Sequence, residues 1–193
     1  MVSQTMERAM DAPAPAYPAE WERHERLRDG RRVFIRPFRP EDVALYPQFL
    51  RGVTDEDLRL RFFAPIRRFS DEFVRKLAAV DYRNVMVFVA FDEDTDEPLG
   101  VVRLHRDPDG KGGEYAVLLR SALKGHGLGW LLMQQMINYA RSLGLETIHG
   151  QVLPENATML SMCAELGFHI ADDPEEHGLK VVTLSLTAPL RVA

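Results

Sequence analysis

Apolar residues recur along this chain with two periods. Short alternating or unbroken apolar runs mark strands, and spacings of three and four mark helices. Arg32-Val33-Phe34-Ile35-Arg36 reads as a first strand, edged by Pro37. Pro40-Glu41-Asp42 opens a helix to about Gly52, with proline in its first turn and acids after it. Thr54 and Asp57 form a capping box with Asp in place of Glu, opening a second helix through Arg61 or Phe63. Ser70-Asp71-Glu72 opens a third, ending near Val80. Strands follow at Val85 to Phe91, Leu99 to His105 and Glu114 to Arg120. An acidic turn from Asp92 to Pro98 and the turn Asp107-Pro108-Asp109-Gly110 join them.

After the third strand the period changes. Leu128, Leu131, Leu132, Met136, Tyr139, Ala140 and Leu143 line one face of a long helix that closes at Gly144. Thr147 to Leu153 is a strand, Asn156 to Leu166 a short helix ended by Gly167, and Phe168 to Ala171 with Leu179 to Leu186 a last strand pair. This order predicts an α/β (α+β) fold: a mixed, mostly antiparallel central sheet with helices on both faces. Residues 1–24 read as a flexible lead with a linker-like Ala/Pro run from Asp11 to Pro18, and residues 25–193 as one domain. Trp21 is expected either to pack onto that domain or to be the remnant of a contact to something upstream.

The junction before the long helix carries the candidate chemistry. Three alternate glycines, Gly125, Gly127 and Gly129, sit between an apolar strand and the helix. Free N–H groups at a helix start, approached closely through glycine, make an anion cradle. A P-loop needs Lys-Ser/Thr after the last glycine, and here Trp130-Leu131 follows. A dinucleotide fingerprint needs glycine at the sixth position from Gly125, which is Trp130. A basic residue, two spacers, glycine, one spacer, glycine does fit Lys124-Gly125-His126-Gly127-Leu128-Gly129.

That loop resembles the acyl-CoA pyrophosphate loop of the GNAT superfamily of N-acetyltransferases, with Lys124 where Arg or Gln is usual. Arg36-Pro37-Phe38-Arg39-Pro40-Glu41-Asp42, and Glu155-Asn156-Ala157-Thr158-Met159 through Gly167-Phe168, resemble that family's first and later segments. Leu27 to Arg32, Leu58 to Phe63 and Val80-Asp81-Tyr82 are similar to the C-terminal acetyltransferase domain of Pat-type bacterial protein lysine acetyltransferases. In those proteins the domain often follows a large acyl-CoA-synthetase-like region; this chain is either a piece of such a protein or a short family member, and the Ala/Pro run at 11–18 leans toward the former.

The resemblance implies acetyl transfer from acetyl-CoA, a co-substrate, to a lysine of an AMP-forming acyl-CoA synthetase as protein partner, silencing it. A small-molecule amine acetyltransferase and a non-catalytic acyl-CoA sensor are the alternatives. Glu114 is the candidate general base, against a solvent-facing strand-end glutamate. Backbone at Leu118, Leu119 and Arg120 is expected to splay and to pair with pantetheine, with Lys124 to Trp130 holding the pyrophosphate. His126 is expected to contribute only its N–H. Asn156 is a helix N-cap, a CoA contact, or both. Cys163 takes the position of the family's proton-donating tyrosine, and is either that acid or a buried core thiol.

Composition narrows the partners. The net charge of −5 gives no support for nucleic-acid binding. Arginines at 51, 59, 61, 67 and 68 are interspersed with acids and read first as a solvated surface. Under the Pat resemblance they are also the candidate docking surface for a folded partner. One cysteine suits a reducing cytoplasm, and six histidines show no metal-ligand spacing. No apolar stretch reaches membrane-spanning length, and the polar, acidic N-terminus is unlike a signal peptide.

Overall fold

In the computed structural model, residues 16–66 and 69–187 are described. The linker-like run to Pro15, Arg67, Arg68 and the last residues lie outside them. Eight strands form one sheet in the order β1-β2-β3-β4-β5-β6-β8-β7. They are β1 (Arg23–Arg26), β2 (Arg32–Pro37), β3 (Val85–Asp92), β4 (Pro98–Arg106), β5 (Gly112–Leu119), β6 (Thr147–Val152), β7 (His169–Asp172) and β8 (Lys180–Ser185). Every neighbouring pair is antiparallel except β5 and β6. A parallel pair needs a crossover, and the long helix α4 (Leu128–Ser142) supplies it.

Strand β3 shows how one run serves two cores. Met86, Phe88 and Ala90 face one side, where Leu128, Leu132, Met133 and Met136 of α4 cover them. Val87, Val89 and Phe91 face the other, under α1 (Tyr46–Arg51), α2 (Asp55–Phe62) and α3 (Asp71–Ala78). A strand buried on both faces reads as continuously apolar, and β3 is buried from Met86 to Asp92. The fold expected from the sequence is the fold observed.

Three local expectations need correction. Residues 16–24 are not a loose lead. A 3-10 turn at Ala19–Trp21 leads into β1, which pairs with β2. The Trp21 ring meets Tyr139 edge-on at 5.2 Å, and Gln135 donates to the Trp21 carbonyl at 2.9 Å. The strand was hidden because Arg-His-Glu-Arg is polar on both faces, as suits a sheet edge. The helix expected from Pro40 to Gly52 is instead a 3-10 segment, Pro40–Leu45, followed by α1. Pro47 in the first turn of α1 cannot donate to the preceding turn, so the helix restarts. In the expected capping box, Thr54 does accept from Asp57 N, but the Asp57 carboxylate reaches Ser121 and Lys124 instead.

Candidate active site

Strands β5 and β6 part company. Their pairing covers only Gly112, Gly113 and Glu114 against Thr147, Ile148 and His149. Beyond Glu114, β5 continues along β4 while β6 continues along β8. The V between them exposes the β5 backbone from Tyr115 to Leu119. The splay expected at Leu118, Leu119 and Arg120 thus opens earlier, just after Glu114; at the strand end Leu118 and Leu119 stay paired with Val101 and Gly100 of β4, and the Arg120 N–H donates to Leu99 O. Tyr115 props the V at its base. Its ring packs so closely on Gly150 that a Cβ there would lie 2.8 Å from the ring. Its hydroxyl lies 3.2 Å from the Cys163 sulfur.

A cleft of about 640 Å3 occupies the V. That volume suits a cofactor-sized ligand. Backbone and side chains from Glu114 to Leu119 form one wall, and Gly125, Gly127, Gly129 and Trp130 another. Asn156 and Met159 of the β6–α5 segment line it too, where α5 is Ala157–Glu165. Arg61 and Phe63 at the end of α2 line it as well.

The glycine loop has the form of a cradle. Gly125 and Gly127 adopt φ of +82° and +93°, which other residues resist. The N–H groups of Gly127, Leu128, Gly129 and Trp130 have no acceptor among the described residues. Such a cluster at a helix start favours an anion. Arg28 adds a cation that sequence reading did not assign to the site. It lines the cleft, and a Cβ on Gly127 would sit 3.7 Å from its Cγ. Its only sequence signal was membership of the Leu27 to Arg32 segment; the β1–β2 hairpin brings it to the loop.

Several expected contributors are placed otherwise. Arg120 does not line the cleft: its N–H donates to Leu99 O and its guanidinium pairs with Glu97 at 2.9 Å. The His126 N–H is turned to Leu123 O at 3.4 Å rather than to the cradle, and its ring pairs with Asp29 at 3.0 Å. Leu128 is fully buried and offers only its N–H. The Leu118 side chain belongs to the core, while Leu119 packs on Gly100 and Gly129. Lys124 lines the cleft but its ammonium pairs with Asp57. Burial alone would raise the Asp57 pKa; Lys124 and the Ser121 hydroxyl outweigh it and hold the carboxyl below its usual range.

Asn156 serves as N-cap, its Oδ1 accepting from Met159 N at 3.3 Å, and also lines the cleft. Cys163 is fully buried and is not part of the lining. Burial raises its pKa, and the Tyr115 hydroxyl opposes that only in part. Of the two roles set out for Cys163, its place is that of a buried core thiol, separated from the cleft by Tyr115. Glu114 is exposed at the point where pairing stops, with His105 and His149 as its register partners on β4 and β6. Glu114 also lines the cleft. No cluster of three potential metal ligands occurs among the described residues.

Comparisons with known proteins bear on this geometry. Residues 32–169 match the model of the acetyltransferase (GNAT) domain family. An acetyltransferase of Pseudomonas aeruginosa is 30% identical over 164 residues, spanning 84% of this chain and 88% of that protein. The solved GNAT domain of S. lividans PAT superposes with a TM-score of 0.81 at 28% identity, covering 88% of this chain and 99% of that one. A spermidine N-acetyltransferase from Vibrio cholerae, solved with CoA and spermine, shares the fold at a TM-score of 0.63 and 17% identity, over 80% of this chain and 95% of that one. This chain thus belongs to the GNAT family of acetyltransferases and is an acetyl-CoA-dependent acyltransferase.

Proposed function

We propose that this protein acetylates a lysine side chain of a folded protein, an AMP-forming acyl-CoA synthetase, with Glu114 as general base and the cytoplasm as its compartment. The observation that carries the reading is the position of Glu114, exposed where β5 leaves β6 and an unpaired backbone edge begins. The likeness to the S. lividans PAT domain supports the protein-lysine acceptor.

The residues present suit acetyl-CoA. The N–H groups from Gly127 to Trp130, with Arg28 beside them, match a pyrophosphate. The free β5 edge from Tyr115 to Leu119 matches the amides of a pantetheine arm. Acetyl-CoA supplies the acetyl group as a thioester, so the new C–N bond forms as the C–S bond breaks. Only about one lysine in 2,500 is neutral at pH 7. Glu114 therefore accepts a proton from the ammonium, directly or through a water. A free N–H on β5 donates to the carbonyl oxygen as its charge grows. As the C–S bond breaks the nitrogen gives its second proton to solvent, and the leaving thiolate takes one from solvent, since Cys163 is buried.

The arginines expected to dock a partner are differently engaged. Arg59 bridges Glu56 and Glu155, at 2.8 and 2.9 Å, and so ties α2 to the β6–α5 loop. Arg61 is turned into the cleft. Docking through these two by charge is set aside.

The test incubates the protein with labelled acetyl-CoA and a purified acyl-CoA synthetase, with a free lysine peptide of the same local sequence beside it. Label on the folded enzyme, well above the peptide, is the expected result. Rapid acetylation of polyamines with none on protein would transfer the reading to small amines.

A further inference from the structure

The end of α2 holds two features that neither the cradle nor the base explains. Arg61 is half-buried, lines the cleft and has no carboxylate partner among the described residues. Arg103 beside it also lacks one and donates to the Leu77 carbonyl. Burial first, then Arg103, brings Arg61 down to about 10, while Glu114 and Tyr46 pull the other way. Placing a guanidinium out of water without a counter-charge is unfavourable. Phe63 follows at φ +60°, a left-handed conformation that bulky residues rarely take. It is 39% exposed and lines the same cleft. A strained, exposed aromatic in the cleft that Glu114 also lines points to a ligand contact.

We propose that the end of α2 is the acceptor subsite, and that it selects a lysine with an acidic residue beside it: Arg61 takes the carboxylate and Phe63 covers the aliphatic stem. This rests on the transfer reading above. The electrostatics favour it. A bare ammonium entering beside Arg61 and Arg103 is repelled, whereas one accompanied by a carboxylate is not. Once the carboxylate is held by Arg61, the remaining positive field disfavours the protonated amine and eases proton loss to Glu114.

Two peptides that differ only in Glu or Gln beside the lysine test this. Binding to the CoA-loaded protein is read by calorimetry, and transfer by kcat/KM. The Glu peptide should be favoured about ten-fold or more in both, as charge-assisted hydrogen bonds are about twice as strong as neutral ones. Arg61→Gln should bring it down to the level of the Gln peptide. Arg61→Lys, which keeps the charge but not the fork, should retain part of the preference and serves if Arg61→Gln does not fold. Phe63→Gly should raise KM for both peptides several-fold without lowering Tm. Equal binding of the two peptides to wild type, including binding of neither, overturns the subsite. So does an equal fall for both in Arg61→Gln, because Arg61 would then serve only Glu114. If the Glu peptide binds through Arg61 but is never acetylated, the subsite stands and the transfer reading falls.

Discussion

The Lys124 ammonium is paired with the Asp57 carboxylate, which joins the glycine loop to α2. Asp57 is buried and also accepts from the Ser121 hydroxyl, so the loop's own lysine is a strut before it is a phosphate ligand. On the proposed reading, positive charge for the pyrophosphate falls to Arg28 and to the helix N–H groups.

Asp57→Asn should destabilise the fold by about 1–3 kcal/mol, the scale of a hydrogen bond to a charged group. The folded-state pKa of Asp57 is depressed. Its contribution is therefore full above the unfolded value of about 3.9 and is lost as pH falls through the lower folded value. Urea denaturation of the two proteins should differ at neutral pH, with the difference shrinking only below about pH 4. A constant difference down to pH 3 would remove the ion pair as its cause.

Gly127→Asp should lower CoA affinity at least ten-fold, since it sets a carboxylate in the cradle beside Arg28. Gly125→Ala is the control. Both positions have positive φ, but nothing lies within 4 Å of a Cβ at Gly125. Calorimetry should find Gly125→Ala strained by about 1 kcal/mol yet binding CoA nearly as wild type. Equal losses at both sites would mean that backbone strain, not the cradle, is being measured.

Arg28→Ala should weaken CoA binding and flatten its dependence on salt, because one cation leaves the phosphate end. Titrations at low and high ionic strength would show it; an unchanged salt slope would place Arg28 outside the site.

Glu114→Gln should fold and bind acetyl-CoA as wild type while transfer drops on the order of 100-fold. Cys163→Ala should keep most of its activity. Comparable losses in both variants, at equal stability, would return Cys163 to the chemistry.

Removing residues 1–15 should leave the melting temperature little changed, whereas Trp21→Ala should cost about 3 kcal/mol, the lower end for burying a large ring. Thermal melts of the two decide whether the domain begins near 25 or near 16.

What the sequence determined alone was whatever has a short period or a local cap. The unbroken run of β3, the apolar stripe of α4, the caps at Thr54 and Ser70, and the glycine ends at Gly144 and Gly167 all depend on neighbours a few residues away. Gly125 and Gly127 belong to the same class, as their positive φ values reflect a local need. The tertiary structure decided the charges. Asp57 meets Lys124 across 67 residues, and Arg59 meets Glu155 across 96. No periodicity announces such pairs; they exist because α2 lies along the cleft and brings those side chains within reach. Arg61 shows it most plainly. Its place in a run of acids and arginines reads as solvated surface, but one helical turn from Asp57 it faces inward over β5, beside Glu114. Strand β1 was invisible for the complementary reason, since an edge strand with polar residues on both faces has no pattern until β2 pairs with it.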